Sequence, residues 1–222
     1  WKEINNYELN FKNFDHNCYT KRYTDMKNKS KKSAWEHWIN HGKYEMRSPY
    51  KETCIVTKGM WGVLNSQINI LKLAIEKKLD NVLIFEDDVL FHKDFNYKLN
   101  NLKKIIYEKK NWKVIYLGAS QESWNKISIK NNFYHAKESY GAFGYIVNST
   151  FFKELLDEFN KFKDLTDQTL AKFQNKYPND FYVVYPNLVI ADLSESSTSL
   201  PKDNESYYIR YRWFDENYNL NV

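Results

Sequence analysis

Along most of the chain, stretches in which apolar residues recur at helical spacing alternate with short apolar runs that are typical of β-strands. One helical stripe is formed by Leu64, Ile68, Leu71 and Ile75. The run 82–85 is short, continuous and apolar, which favours a strand buried on both faces. This alternation predicts an α/β domain with an open, mainly parallel sheet and some antiparallel additions. In such sheets, ligands bind beyond the carboxyl ends of the strands.

The other elements of this domain follow from the same patterns. We predict helices around 95–106, 150–159 and 166–173, strands at 112–117, 142–147, 181–185 and 188–191, and a hairpin at 126–136. Gly118 is expected to end the strand that precedes it, and Thr166 or Asp167 to cap the helix that follows.

Residues 1–50 differ in character, because they are polar and aromatic and contain no strong strand pattern. Within them, Ser33 is expected to cap a short helix that ends near Gly42. We therefore divide the chain into a small helical accessory module at 1–50 and an α/β domain at 51–222. The chain begins at Trp1 rather than at methionine, so we expect it to be a piece of a longer protein.

The composition excludes several classes of protein. Hydrophobic residues make up 42% of the chain, which is typical of a globular protein. The net charge of +5 comes from 33 basic and 28 acidic residues that are interspersed, so we expect no nucleic-acid partner. No apolar run approaches the ~20 residues that span a bilayer. We expect no transmembrane segment and a soluble domain, with the cytoplasm favoured as its compartment.

Three acids, Glu86, Asp87 and Asp88, follow the apolar run directly and so lie at the predicted ligand-binding edge of the sheet. Neighbouring carboxylates repel each other unless a cation or hydrogen-bond donors compensate. Oxygen ligands favour Mg²⁺ or Mn²⁺, and such an ion could bridge a diphosphate and neutralise a departing nucleotide. A solvated acidic turn is the alternative explanation of the same residues.

Five segments of the chain resemble glycosyltransferase family 25 in their order and intervals. They are 59–67 (GMWGVLNSQ), 81–89 (NVLIFEDDV), 115–118 (IYLG), 140–147 (YGAFGYIV) and 186–196 (PNLVIADLSES). This family includes bacterial lipooligosaccharide galactosyltransferases and collagen galactosyltransferases, with relatives in giant viruses. The resemblance implies a GT-A-like fold, a UDP-sugar donor, Mn²⁺ or Mg²⁺ as cofactor, and a glycan or glycoprotein acceptor.

The resemblance also implies roles for four acids. Asp87 and Asp88 match the acidic motif of the family and would hold the metal and, through it, the diphosphate. Asp192 is a further candidate metal ligand. Asp167 matches an acid on the acceptor side and is the candidate general base of an inverting reaction, in which it would take the proton of the acceptor hydroxyl. A helix N-cap is the alternative role of Asp167.

Six more residues are expected at or near the donor side. Gly59 and Gly62 match a turn near the nucleotide, where the backbone must approach a ligand. Glu86 belongs to the acidic motif and would support the metal ligands, and Gly141 precedes the strand that lines the sugar site. Gln121 follows a predicted strand and is therefore expected at the same edge of the sheet as the acids, as is Trp124.

The sequence also departs from the family pattern. Val63 and the pair 66–67 stand where the family usually has Cys and Ser-His, and Ser197 stands where it usually has an acid. Residues 1–53 offer no counterpart of the strand and Arg-rich turn with which the family opens. Two hypotheses compete with that of an active glycosyltransferase. The first is a non-catalytic glycan- or nucleotide-binding module, and the second is a metal-dependent nuclease or phosphoesterase. Turnover of a UDP-sugar distinguishes the enzyme from the binding module.

Overall fold

The computed structural model describes residues 11–12, 14–42, 58–109, 111–121, 128–129, 133–192, 211, 213 and 217–218. The helices are α1 (His16–Arg22), α2 (Lys31–His37), α3 (Lys58–Glu76), α4 (Phe95–Glu108), α5 (Ser149–Phe159) and α6 (Thr166–Lys176). The strands are β1 (Asn81–Phe85), β2 (Val89–Phe91), β3 (Val114–Gln121), β4 (Ser128–Ile129), β5 (Phe133–His135), β6 (Ser139–Asn148), β7 (Phe181–Val184) and β8 (Val189–Ala191). None of these helices is both long enough and apolar enough to span a bilayer.

Six strands form one sheet in the order β1-β6-β3-β7-β5-β4, and β2 and β8 form a separate two-stranded ribbon. The α/β class, the hairpin β4–β5 and the helical N-terminal region are as predicted. The expectation of a mainly parallel sheet is wrong, because β3 and β7 form the one parallel pair among the described strands. Parallel neighbours need a long crossover connection, and the segment with α5 and α6 provides one between β3 and β7. The strand β6 lies between β1 and β3 and runs antiparallel to both.

Two hydrophobic cores lie on opposite faces of this sheet. Alternate residues of β3 enter each of them, as the period of two in a strand requires. Val114 and Tyr116 belong to the core shared with α3, α5 and α6. Ile115 and Leu117 belong to the core shared with α4 and the β2–β8 ribbon. The sheet is therefore the middle layer between three helices on one side and α4 with the ribbon on the other.

The ribbon can lie this close to the sheet because β3 carries a glycine at the crossing point. The N–H of Leu188 donates to the carbonyl oxygen of Leu117 over 2.6 Å. A Cβ atom on Gly118 would lie 1.9 Å from the carbonyl oxygen of Val189. Any larger residue at this position would push β8 away from the sheet, so Gly118 fixes the height of the ribbon above it.

Two expectations about strands are corrected by burial and pairing. The strand β1 is not buried on both faces, since Leu83 is 39% exposed while Ile84 is 2% exposed. Its position at one end of the described sheet explains this, because less of the protein covers it there. The strand β3 does not end at Gly118 but continues through Gln121.

The N-terminal module has a hydrophobic cluster of its own, formed by the buried residues Phe14, Tyr19, Met26 and Ala34. None of these residues belongs to the other two cores. The division near residue 50 remains a prediction. The cap of α2 differs from the expected one, because the Ser30 Oγ accepts the N–H of Ser33 over 3.2 Å. Ser30 has the extended backbone that an N-cap adopts, while Ser33 already lies inside the helix. A π-helical turn at Trp38–Gly42 continues α2.

Candidate active site

The acidic turn connects the sheet to the ribbon. β1 ends at Phe85, and the N–H of Glu86 donates to the carbonyl oxygen of Phe143 in β6 over 3.0 Å. Glu86 is thereby held half-buried at the edge of the sheet, while Asp87 and Asp88 are exposed in the turn before β2. The three acids thus lie at the carboxyl end of β1, as the sequence predicts.

The ribbon brings Asp192 to this turn. Val89 pairs with Ala191 at the end of the β2–β8 ladder. One step further, the N–H of Asp192 donates to the carbonyl oxygen of Asp88 over 2.7 Å. Desolvation of its carboxyl raises the pKa of Asp88, a backbone N–H offsets part of this, and the charges of Asp87 and Asp192 raise it further. Asp88 and Asp192 are therefore neighbours in space, although they are far apart in the chain.

Asp167 comes from α6, which packs on the face of the sheet opposite to the β2–β8 ribbon. It lies in the first turn of α6 and not at the cap, since the N-cap position is occupied by Leu165. The carboxylate of Asp167 accepts the N–H of Gln168 over 2.7 Å and also the N–H of Gly141. Burial raises the pKa of Asp167, and these backbone donors offset part of the rise. The expectation that Thr166 or Asp167 caps the helix is wrong.

The carboxyl of Glu86 is strongly perturbed. Burial raises its pKa from 4.5 to about 7, and the charges of Asp88, Asp167 and Asp87 contribute in that order. Asp167 therefore lies close enough to the acidic turn for its charge to affect Glu86. Clusters of acids with pKa values displaced toward neutrality are typical of functional sites, because the same environment that destabilises the charge can serve catalysis.

The acids fit a metal only in part. Within the ranges described above, no three His, Cys, Asp or Glu side chains are arranged so that they could hold a metal ion. Mg²⁺ and similar ions at phosphate sites are held by one or two carboxylates together with the phosphates of the substrate. The adjacent backbones of Asp88 and Asp192 bring two carboxylates to one place and so meet that smaller requirement. Their role as ligands, and that of Asp87, remains a prediction.

The two glycines predicted at the nucleotide do not form a turn. Gly59 and Gly62 both lie inside α3. A Cβ atom on Gly62 would meet nothing within 4 Å, so the protein itself does not require a glycine there. The expected reason for these glycines is therefore wrong, and their contact with the nucleotide remains a prediction. Gly141 differs, since its φ of +79° is a conformation that favours glycine.

Gln121 is buried rather than displayed at the edge of the sheet. Its Nε2 donates to the carbonyl oxygen of Lys137 over 2.8 Å, and its Oε1 accepts the hydroxyl of Ser139. Both ends of the carboxamide are thus used within the protein. Contact between Gln121 and a nucleotide remains a prediction. Trp124 and Ser197 lie outside the described residues. Residues 1–53, in which the sequence offers no counterpart of the family's opening strand, are described only in part.

A set of buried polar residues beside the acids was not anticipated from the sequence. The hydroxyl of Tyr145 donates to Gln67 over 2.8 Å, and the Nε2 of Gln174 donates to the hydroxyl of Tyr116 over 2.9 Å. Burial raises the pKa of both tyrosines, with contributions from Glu86 at Tyr145 and from Asp167 at Tyr116. One signal was available: Gln174 lies four residues after Leu170, on the apolar face of its helix, where a polar residue needs a partner.

Comparison with known proteins agrees with the resemblance of the motifs. The sequence profile of glycosyltransferase family 25 (LPS biosynthesis protein) matches residues 2–171 of this chain. The match includes the acidic turn, Gly141 and Asp167, and it ends before β7.

Individual relatives give the same family. Procollagen galactosyltransferase 2 of Mus musculus is 27% identical over 206 residues, which cover 81% of this chain and 32% of that protein. The Homo sapiens protein of the same name is 27% identical over 187 residues, covering 72% of this chain and 30% of that protein. Inactive glycosyltransferase 25 family member 3 of Mus musculus is 28% identical over 135 residues, covering 59% and 23%. The chain therefore spans less than a third of the length of these relatives.

Proposed function

The chain belongs to glycosyltransferase family 25, and on that premise we propose that it transfers a hexose from a UDP-sugar to a hydroxyl group of a glycan or glycoprotein. The observation that supports this proposal is the meeting of acids from three separate elements. The turn after β1 contributes Glu86 and Asp88, the end of β8 contributes Asp192, and the first turn of α6 contributes Asp167.

In this proposal the two ends of the acid cluster have different tasks. Asp88 and Asp192, with Asp87 beside them, would hold Mn²⁺ or Mg²⁺ together with the diphosphate of the donor. When bound, such an ion supplies positive charge that stabilises the leaving diphosphate. Glu86 lies between the end of β1 and these acids. Its raised pKa means that it takes up a proton more readily than an ordinary carboxyl.

Asp167 is proposed to act on the acceptor. Its carboxylate would accept the proton of the acceptor hydroxyl while that oxygen bonds to the anomeric carbon and the bond to the UDP oxygen breaks. A raised pKa suits this task, because a base works best when its pKa approaches the working pH. The backbone N–H groups of Gly141 and Gln168 hold the carboxylate in place before the acceptor arrives.

A second candidate function is a binding module of the same fold that has lost turnover. The observation in its favour is that a relative named inactive matches this chain at a similar identity to the galactosyltransferase, 28% against 27%, although over 59% of the chain against 81%. Both candidates predict binding of a nucleotide or glycan, and turnover distinguishes them. A nuclease or phosphoesterase gives no role to Gly141 or Asp167.

The test is a calorimetric titration of UDP with and without Mn²⁺, followed by a turnover screen of UDP-hexoses. The Asp88→Ala variant is compared with Asp157→Ala, which removes an exposed acid of α5. We expect Mn²⁺-dependent UDP binding that Asp88→Ala abolishes and Asp157→Ala retains. Binding without turnover of any donor would favour the binding module. No UDP binding in either metal condition would contradict a donor site at the acidic turn.

A further inference from the structure

The helix α6 contacts the first residues of β6 with two side chains on the same face. Asp167 and Gln174 are about two helical turns apart and therefore project from one side of α6. Opposite them lies the segment 139–141, which opens β6. Asp167 is the proposed general base, whereas nothing above gives Gln174 a role in the reaction.

Gln174 binds the main chain of Ser139 in both directions. Its Oε1 accepts the N–H of Ser139 over 3.1 Å, and its Nε2 donates to the carbonyl oxygen of the same residue over 2.7 Å. The second proton of Nε2 is available for the hydroxyl of Tyr116, 2.9 Å away in β3. With a side chain that is 3% exposed, Gln174 has no competing water, so this arrangement fixes α6 against the sheet.

Asp167 makes the second contact between α6 and this segment. Its carboxylate accepts the N–H of Gly141, whose positive φ turns the chain at this point. Ser139 and Gly141 are thus held by one helix through two side chains, the first neutral and the second a carboxylate. Because Gly141 is covalently tied to Ser139, the place at which its N–H meets Asp167 depends on how firmly Gln174 holds Ser139.

The same strand then leads to the acidic turn. Two residues after Gly141, the carbonyl oxygen of Phe143 accepts the N–H of Glu86. A shift of the 139–141 segment would therefore change the position of Asp167 relative to Glu86 and the donor side. Displacements of about 1 Å in a reacting group can cost about 100-fold in rate.

We infer that Gln174 is a positioning residue. Its two hydrogen bonds to the main chain of Ser139 hold the start of β6 in place, and with it the N–H of Gly141 that fixes the carboxylate of Asp167. The inference rests on the proposed function for the part that concerns rate. Gln174 lies about two helical turns from Asp167 on the same side of α6, and in the proposed function this is the acceptor side of the site. Its loss should therefore slow turnover while the donor still binds.

The experiment compares Gln174→Met with Gln67→Met. Both glutamines are 3% exposed, and both bind the hydroxyl of a buried tyrosine. Gln67 bonds Tyr145 and, in the part of the chain that the structure describes, makes no hydrogen bond to the 139–141 segment. Both variants keep the volume of the side chain and remove its polar groups. A merely structural role predicts similar effects from the two substitutions. Thermal unfolding of each variant measures how much stability was lost.

Two readouts decide the matter, namely hydrogen exchange of the Gly141 amide and steady-state kinetics with the best UDP-hexose. We expect exchange at Gly141 to rise at least ~10-fold in Gln174→Met but not in Gln67→Met. We expect kcat to fall at least ~10-fold with KM for the donor within about twofold. Equal changes in the two variants, in exchange and in kcat, would overturn the inference.

A replacement variant and a readout that does not depend on activity distinguish failure of this inference from failure of the proposed function. If Gln174→Met does not fold, Gln174→Glu replaces it, since this variant keeps an acceptor for the N–H of Ser139 and removes both donors. If the unaltered protein turns over no UDP-hexose, the proposed function fails, and the exchange at Gly141 still decides whether Gln174 holds Asp167 in place. Unchanged protection of Gly141 in a folded Gln174 variant contradicts the positioning role whatever the activity.

Discussion

The N–H of Asp192 donates to the carbonyl oxygen of Asp88 over 2.7 Å, so the end of the β2–β8 ribbon joins two acids from distant parts of the chain. Burial is the main cause of the raised pKa of Asp88, and the negative charges of Asp87 and Asp192 raise it further. A divalent ion bound at this pair would offset the repulsion between these acids. The relation between Asp88 and Asp192 gives the first prediction.

Replacing Asp192 by asparagine should weaken Mn²⁺-dependent binding of UDP by about 10-fold or more, because one of the candidate carboxylate ligands is lost. Binding of UDP without Mn²⁺ should change little. Calorimetric titration measures both, with Asp157→Asn on the exposed face of α5 as the matched control. Equal loss with and without Mn²⁺ would show that Asp192 acts on the nucleotide by another route.

Replacing Glu86 by glutamine should stabilise the protein at neutral pH. The pKa of Glu86 is about 7 in the folded state and near 4.5 when unfolded, so the folded state holds the proton more tightly. Below about pH 4 the carboxyl is protonated in both states, so Glu86 does not destabilise the folded protein. Its destabilising effect grows as the pH rises from about 4 to about 7 and is complete above about pH 7, where it reaches up to about 3 kcal/mol.

Thermal unfolding of Glu86→Gln at pH 5, 6, 7 and 8 tests this dependence. The gain in Tm over the unaltered protein should increase with pH and level off near the upper end of this range. The exposed Glu108 supplies the control, since Glu108→Gln should show no such trend. A gain that is constant with pH would mean that packing, and not the charge of Glu86, is responsible.

Replacing Gly118 by alanine should destabilise the fold by about 2–4 kcal/mol, because the new Cβ would overlap the carbonyl oxygen of Val189. Gly62→Ala is its counterpart, since a Cβ there meets nothing within 4 Å and α3 is helical at that point. It should stabilise the protein by up to about 1 kcal/mol. Urea unfolding measures both values, and destabilisation by Gly62→Ala would contradict its placement inside a helix.

Gly62→Ala also tests the predicted nucleotide contact. If UDP approaches the backbone at Gly62, the added methyl group should weaken UDP binding although the fold is more stable. Unchanged affinity in a stabilised variant would remove Gly62 from the donor site. Calorimetry on the same protein sample as the unfolding measurement separates the two effects.

Replacing Trp213 by phenylalanine should cost about 1–3 kcal/mol, because the Oδ1 of Asn187 would lose the indole N–H that it accepts over 2.9 Å in a buried environment. The ring contact with Phe143 would largely remain. Urea unfolding measures the loss, with Tyr107→Phe as a control, because that side chain is 92% exposed. A loss no greater than that of the control would show that the hydrogen bond contributes little.

The sequence was sufficient for most helices and strands of the α/β domain and for the acidic turn, because their signals are local, whereas α1 and β2 were not predicted. The apolar run before Glu86 and the helical stripe in α4 both lie within a few residues, and the structure confirms both elements. Strand direction was not predicted correctly, since the position of β6 between β1 and β3 depends on contacts between distant segments. The exposure of Leu83 has the same cause, because an apolar run does not reveal whether its strand lies at the end of a sheet.

The candidate site was predicted in part for a related reason. The acids follow recognisable motifs, but the hydrogen bond from Gly141 to Asp167 joins two residues through the packing of α6 on β6. The expectation about Gly62 failed because a glycine pattern does not distinguish a turn from a position inside a helix. Gln174 was overlooked because one polar residue on an apolar face becomes meaningful only when its partners are known.

The pairing of His92 with Tyr218, together with the hydrogen bond from Lys93 to the carbonyl oxygen of Asn217, has a consequence for how the chain folds during synthesis. The core beneath the β2–β8 ribbon includes Trp213 and Tyr218. A ribosome that has released the acidic turn has therefore not yet supplied the residues that complete this core. Until those residues are synthesised, part of the apolar surface of α4 and β2 stays exposed. In this interval a chaperone or a neighbouring nascent chain could bind to it.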